Sequence, residues 1–173
     1  MIYKCCPDCG SECERTSFKS FRCLHCSHKF YDEPVVAAGG LIKNQNNKYL
    51  FIRRNIEPGK GSISVPGGCV DNNESLENCF KRESFEETGV RITNIKYFSS
   101  YPTENDRDGQ RETAISAFFT AETSDVGRSD KDEVSNVFWL GKNEIDINQI
   151  TLPDVKAFIQ AFLKKNYPQK SVK

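Results

Sequence analysis

The chain has 173 residues, enough for one domain of ordinary size or for a domain with a small module attached. Its 24 Lys and Arg balance 24 Asp and Glu, which argues against a general electrostatic nucleic-acid binder. Apolar residues at 37% and charged residues at 28% exclude a long disordered tract; no apolar run is long enough to span a membrane, and Met1-Ile2-Tyr3-Lys4-Cys5 opens no secretory leader.

Residues 1–33 read as a separate small module, joined through Asp32-Glu33-Pro34 to a larger domain over 34–168. Residues 169–173 read as a basic tail. The module holds six of the eight cysteines: Cys5, Cys6, Cys9, Cys13, Cys23 and Cys26. A disulfide framework would be spread over the fold, whereas clustering points to a metal and to a reducing, cytoplasmic compartment. Cys6-Pro7-Asp8-Cys9 and Cys23-Leu24-His25-Cys26 are two Cys-x-x-Cys pairs separated by 13 residues. Each can form a tight turn whose backbone N–H groups face the sulfurs, and four thiolates at this spacing suit a structural, tetrahedral Zn²⁺. Cys5 or Cys13 could stand in for Cys6 or Cys9. The alternative is a set of reduced, exposed thiols or a redox pair. Residues 1–31 carry five Lys and Arg against three Asp and Glu, a surplus that four zinc-bound thiolates would cancel. His25 and His28 are expected outside the ligand set.

Beyond Pro34 the pattern becomes globular. Val35 to Ile42 and Tyr49 to Arg54 read as strands, and Asn55 to Gly61, with Pro58, Gly59 and Gly61, as a loop. Ser75 to Thr88 reads as a helix, with Asn73 as N-cap and Gly89 just past the end. Val90 to Tyr101, Thr113 to Ala121 and Val134 to Leu140 read as strands, with a flexible polar connection over Thr103 to Glu112. Val155, Phe158, Ile159, Phe162 and Leu163 mark one buried face of a final helix, opened by Thr151 and Pro153. This order predicts an α/β fold: a mixed sheet with helices packed on it.

The helix at 75–88 carries the chemistry. Glu83, Glu86 and Glu87 share one side of it, and that side continues the line of Leu76, Cys79 and Phe80. An apolar face ending in three acids is no ordinary solvated face. Clustered carboxylates repel unless a cation lies among them, and oxygen ligands suit Mg²⁺ or Mn²⁺, the usual partners of phosphate substrates.

Gly68, five residues, Glu74, seven residues, then Arg82-Glu83-Ser84-Phe85-Glu86-Glu87-Thr88-Gly89-Val90 resembles the Nudix box. Eight of the box's nine defined positions match. The departure is Ser84, where the family usually has an aliphatic residue, and it is expected to loosen packing under the helix. Arg53-Arg54, Glu57-Pro58-Gly59-Lys60-Gly61 and Val65-Pro66-Gly67-Gly68 extend the resemblance, which covers about residues 35–165. It implies a Nudix α/β/α sandwich behind a small zinc ribbon, and hydrolysis of a phosphoanhydride. By motif position it implies that Glu83, Glu86 and Glu87 bind Mg²⁺ or Mn²⁺ with the Gly67 carbonyl as a further ligand. Arg82 would orient a box glutamate, and Glu74 would support the loop before the helix. A glutamate near Glu133 often binds metal or acts as a base in such proteins; the bland reading of Glu133 is a surface acid beside Asp130, Lys131 and Asp132.

A ribbon ahead of the box resembles the NADH pyrophosphatases, which implies a small-molecule substrate with a nucleoside diphosphate joined to a further group: ADP-ribose or a dinucleotide such as NADH. The Ser-Gln-Pro-Trp type motif of those enzymes does not follow Val90. Tyr101-Pro102 loosely resembles the proline beyond the box in ADP-ribose hydrolases, at a different spacing. Arg53, Arg54 and Lys60 are the candidates to hold substrate phosphates, against a reading as ordinary strand-end charge. A non-catalytic nucleotide sensor is disfavoured by the complete box. RNA 5′-end decapping is disfavoured by zero net charge and no interleaving of aromatic and basic residues. The expected partners are a nucleotide and no membrane, with a homodimer left open.

Overall fold

The computed structural model describes residues 3–107, 110–129 and 132–165, and it leaves the side chains of 105–107 and 110–112 aside. The tail expected at 169–173 lies outside the described residues. Two units are distinguished, Met1–Pro34 and Val35–Lys173. The first is a three-stranded antiparallel ribbon of β1 (Cys13–Arg15), β2 (Ser20–Cys23) and β3 (Lys29–Tyr31). Its centre is aromatic: Phe21 stacks on Phe30 at 5.5 Å, and Tyr3 meets both edge-on.

The second unit is built on a sheet. β4 (Val35–Lys43), β5 (Tyr49–Arg54), β8 (Thr93–Arg107), β9 (Gln110–Glu122) and β10 (Val134–Leu140) lie in the order β10-β5-β4-β9-β8. β6 (Ile63–Ser64) pairs with β5, and β7 (Gly67–Cys69) pairs with β4. The β4–β9 pair is parallel and the others are antiparallel, so the sheet is mixed as expected. Helix α1 (Leu76–Thr88) covers one face and helix α2 (Pro153–Lys165) the other.

Neighbouring residues on the strands serve opposite layers, which follows from the two-residue period of a strand. Ile42 and Phe119 join Cys79, Phe80 and Val90 under α1. Leu41 and Phe118 join Phe158, Ile159 and Phe162 under α2, where Phe118 stacks on Phe158 at 4.5 Å. The central strands are thus buried on both faces at Leu41, Ile42, Phe118 and Phe119, where their sequences are continuously apolar rather than alternating.

Three readings of the sequence change. The N-cap of α1 is Ser75, whose hydroxyl accepts the Asn78 N–H; Asn73 instead holds a positive φ of 65° in the preceding turn. Within Thr103 to Glu112 the described residues are strand rather than a loose connection, because β8 and β9 continue their pairing as far as Arg107↔Gln110; residues 108 and 109 lie outside the described residues. Backbone ladder bonds do not depend on polar or apolar side chains, so a charged run can complete a hairpin. β8 begins at Thr93 rather than Val90, since the Arg91 N–H bonds the Asp125 carboxylate instead of a ladder carbonyl. Ser84 is fully buried and its hydroxyl donates to the Phe80 carbonyl one turn back, so this polar residue leaves no unpaired donor under the helix.

Gly40 shows how tightly the sheet centre is drawn. A Cβ there would collide with the Phe119 backbone carbonyl on the parallel neighbour. Gly40→Ala should therefore destabilise the second unit by about 3 kcal/mol or more, read as a drop in urea midpoint. A wild-type midpoint would show that the β4–β9 contact is not as close as described.

Candidate active site

The site begins with a split in the sheet. β4 and β5 share the pair Lys43↔Tyr49 and then diverge. β6 stays on β5 through Ile52↔Ser64, whereas β7 stays on β4 through Ala38↔Gly68. A cleft of about 670 Å³ opens here, lined by Arg54, Gly67, Gly68, Glu83, Glu87 and Glu133 among others.

Two glycines let the carboxylates reach it. Gly67 sits at φ 152°, and a Cβ on it would lie 2.5 Å from the Gly39 Cα. A Cβ on Gly68 would overlap the Glu83 carboxylate. With both positions bare, Glu83 lies against the strand, and the Gly67 N–H donates to Glu87 Oε2 at 2.9 Å.

Arg82 ties the rest together. Its Nε and Nη2 make a forked pair with Glu74 at 3.0 and 2.9 Å. Nη1 donates to Glu83 at 2.7 Å and to Glu86 at 3.1 Å, and Nη2 also reaches the Cys69 carbonyl at 3.0 Å. One guanidinium thus orients three glutamates and the β7 backbone, a task suited to its planar array of donors. Cys79 lies beneath, its thiol directed to the Gly68 and Cys69 carbonyls and pushed up to about 12 by burial and the nearby acids.

The three acids of α1 are not equivalent. Glu87 is only 8% exposed, and burial pushes its carboxyl up to about 8 against the opposing Gly67 N–H. Burial also raises Glu83, although Arg82 opposes it. Glu86 is exposed and does not line the cleft, so the acid-bearing side runs from the core to the solvent border rather than wholly along the buried stripe.

Of the basic residues expected to hold phosphates, only Arg54 lines the cleft. Burial lowers its pKa, while Glu87, Glu133, Asp154 and Glu57 attract it. Its Nε donates to the Pro58 carbonyl at 2.8 Å. Arg53 and Lys60 line a separate shallow depression beside Asn148 and Gln149, and Arg53 donates to the Gly61 carbonyl. Glu133 lines the cleft, its backbone carbonyl accepting from the Asn55 N–H at 2.7 Å. Sequence reasoning missed Thr103, Ser116 and Asp154, which also line the cleft. Their only signal was the alternation of the β8–β9 hairpin and an acid in the first turn of α2.

In the ribbon, the sulfurs of Cys6, Cys9, Cys23 and Cys26 all lie within 4.8 Å of one another. The Cys6–Cys26, Cys9–Cys23 and Cys9–Cys26 separations are 3.7, 3.5 and 3.6 Å. A tetrahedron with Zn–S arms of about 2.3 Å has edges of about 3.8 Å, whereas a disulfide brings sulfurs to about 2.05 Å. The His25 and Cys26 N–H groups face the Cys23 sulfur at 3.4 Å, as a knuckle requires. Cys5 lies in a backbone bridge with Glu12, and the Cys13 thiol turns to the Ser11 carbonyl.

The family model of the NUDIX domain matches residues 33–162. The chain belongs to this family. A curated relative, NAD-capped RNA hydrolase NudC of Haemophilus influenzae, is 30% identical over 104 residues, covering 58% of this chain and 39% of the relative. ADP-ribose pyrophosphatase of Methanocaldococcus jannaschii is 38% identical over 81 residues, 47% of each chain. The chain therefore spans less than half the length of these curated relatives. A NUDIX hydrolase crystal structure from Nitrosomonas europaea superposes with a TM-score of 0.75 at 24% identity, covering 95% of this chain and 92% of that one. The NUDIX domain of Shewanella oneidensis NrtR, solved with ADP ribose, superposes with a TM-score of 0.64 at 20% identity over 78% of this chain. Both likenesses bear on the fold.

The Nudix helix fits a hard divalent cation by its donor chemistry. Glu83 and Glu87 present carboxylate oxygens to one cleft, both held above the usual carboxylate range by burial and, to a lesser degree, by the neighbouring acids.

Without Mg²⁺ or Mn²⁺, native Glu87 keeps a proton that the unfolded chain has already released above about pH 4.5. Its contribution to stability is therefore full below that point and lost as pH rises through about 8. The lowered acids Glu74, Glu122 and Glu144 act in the other direction and at lower pH. Between pH 5 and 8, stability in buffer free of added divalent cation should fall for wild type and fall less for Glu87→Gln, as read by urea midpoints. Parallel profiles would contradict the buried, protonated Glu87.

Proposed function

We propose that this Nudix chain is a Mg²⁺- or Mn²⁺-dependent pyrophosphohydrolase. Its substrate is a nucleoside diphosphate joined to a further group, with ADP-ribose or a dinucleotide such as NADH favoured over a nucleoside triphosphate. The observation that carries the reading is the cleft that Glu83, Glu87 and Glu133 line together with Arg54. The activities for which NudC and the ADP-ribose pyrophosphatase are named support the same bond type.

Glu83, Glu86, Glu87 and the Gly67 carbonyl would hold the cation. Bound there, it neutralises diphosphate charge and lowers the pKa of a water. Arg82 keeps Glu83 and Glu86 in place, and the Gly67 N–H fixes Glu87. The Arg54 guanidinium sits at the cleft wall to receive a phosphate oxygen. As the water oxygen attacks phosphorus, its proton passes to the Glu133 carboxylate. The bridging P–O bond breaks and the second phosphate leaves with the bridging oxygen. Holding these groups rigidly before reaction is the main catalytic contribution of the fold. Arg53 and Lys60, on the neighbouring depression, are left as strand-end charges.

Action on an NAD-capped RNA 5′ end is the second reading, favoured by the names of the NudC relatives. It uses the same diphosphate bond. For the ribbon we propose one structural Zn²⁺ held by Cys6, Cys9, Cys23 and Cys26, which sets a reducing, cytoplasmic location. Among the described residues no helix is long and apolar enough to cross a membrane.

A panel of ADP-ribose, NADH, NAD-capped RNA and ATP with Mg²⁺ or Mn²⁺ tests the substrate class. Diphosphate-linked compounds should yield two phosphate products. Pyrophosphate released from ATP alone would overturn the reading. Glu86→Gln and Glu87→Gln should lower kcat by at least about 10²-fold, on the order of 3 kcal/mol of barrier, with folding retained. Glu77→Gln, in the first turn of the same helix, should do little. Full Mg²⁺-dependent activity in the first two variants would remove them from the mechanism.

Metal analysis of protein purified without added zinc should find one Zn²⁺ per chain, lost in Cys9→Ser and Cys26→Ser but kept in Cys5→Ser and Cys13→Ser. Eight titratable thiols and no zinc would refute the site.

A further inference from the structure

The cleft does not end at the carboxylates. The paired residues Val35, Ala114 and Thr103 lie four residues along β4 from Gly39, about 13 Å at the rise of a strand, with Thr103 two strands across. Asp154, in the first turn of α2, lines the cleft together with Ser116, Phe118 and Leu152, with Ser116 opposite Ala37 and Phe118 opposite Gly39.

The polar groups here are unusual for such an apolar wall. Asp154 is 9% exposed, and its Oδ2 accepts the Ser116 hydroxyl at 2.6 Å. Thr103 is 8% exposed, and its Oγ1 has no partner among the described residues. Ser99 Oγ shares that state, yet of the two only Thr103 lines the cleft. A buried hydroxyl without a partner is costly, so it calls for a ligand.

We propose that this end of the cleft is the subsite for the moiety beyond the diphosphate, and that it takes an uncharged group presenting hydrogen-bond donors. Asp154 Oδ1 and Thr103 Oγ1 accept those donors, which a ribose diol or the amino edge of a base supplies equally. Val35, Ala114 and Leu152 supply the apolar surface of this part of the cleft. A third phosphate would meet the Asp154 carboxylate rather than a donor, which disfavours nucleoside triphosphates. The assignment rests on the proposed diphosphate hydrolysis.

Thr103→Val is the decisive variant, since it keeps the shape of the side chain and removes only an unpartnered hydroxyl. Its thermal midpoint should stay or rise, while KM for ADP-ribose rises about tenfold with kcat within about threefold. A merely structural role would lower the midpoint and leave KM alone. Asp154→Asn should raise KM further and narrow the preference for ADP-ribose over ATP. Calorimetry with AMP and its 2′,3′-dideoxy form separates the two sources. A Thr103→Val penalty confined to AMP identifies the diol, and an equal penalty for both identifies the base. If wild type hydrolyses ADP-ribose and both variants retain its KM, the subsite is wrong although the activity stands. If wild type hydrolyses nothing in the panel, the activity is wrong, and the AMP titrations alone decide the subsite: an unchanged affinity in Thr103→Val overturns it.

Discussion

The approach of β7 to β4 governs everything at the carboxylate cleft. Gly39 and Gly67 meet backbone to backbone, so closely that a side-chain carbon on either would collide with the other strand. This contact holds β7 on β4 while β6 remains with β5, and the sheet must part between them. The same contact presents the Gly67 N–H to Glu87 and leaves room beside Gly68 for Glu83. Gly39, Gly67 and Gly68 act through the space they leave empty.

The site also shows how one cation can organise several buried anions. Arg82 satisfies Glu74 with a fork and still reaches Glu83, Glu86 and a carbonyl. That assembly fixes side chains but does not neutralise the cleft, since Glu87 and Glu133 look instead toward Arg54, itself poorly solvated. A partly buried charge set with this imbalance is costly for the protein alone, and under the proposed function that cost falls when a divalent ion and a diphosphate enter together. The fold supports the strain with two apolar layers, one under each helix.

Much of this was legible in the sequence. The helix at 76–88, the strands at 35, 49 and 134, and the grouping of the acids on one helix side follow from periodicity and capping chemistry. Spacing alone singled out the two Cys-x-x-Cys pairs that the ribbon brings together, although it could not choose between Cys5, Cys6, Cys9 and Cys13. Long-range geometry was less accessible. Arg53 and Arg54 are adjacent in the chain, yet alternation along β5 sends one to the cleft and the other to its outer side. Thr103 and Ser116 sit on strands whose pairing extends through a charged run that reads as a loop. Asp154 carries no local sign that a serine from another strand will bind it. Such residues become neighbours only through strand register, which composition does not encode.

The parallel pairing of β4 with β9 has a consequence for biosynthesis. Val35 pairs with Ala114 and Lys43 with Glu122, so the strand that carries the Gly39 contact stays half-paired until the β8–β9 hairpin has been made. The whole box, Gly68 to Val90, leaves the ribosome well before that. A nascent chain therefore displays the acidic helix with neither of its sheet layers complete, and loop closure over this separation is slow compared with forming a helix. The acid-bearing helix is synthesised before the strands that complete its surroundings, which delays any catalytic competence until the distal half of the domain has arrived.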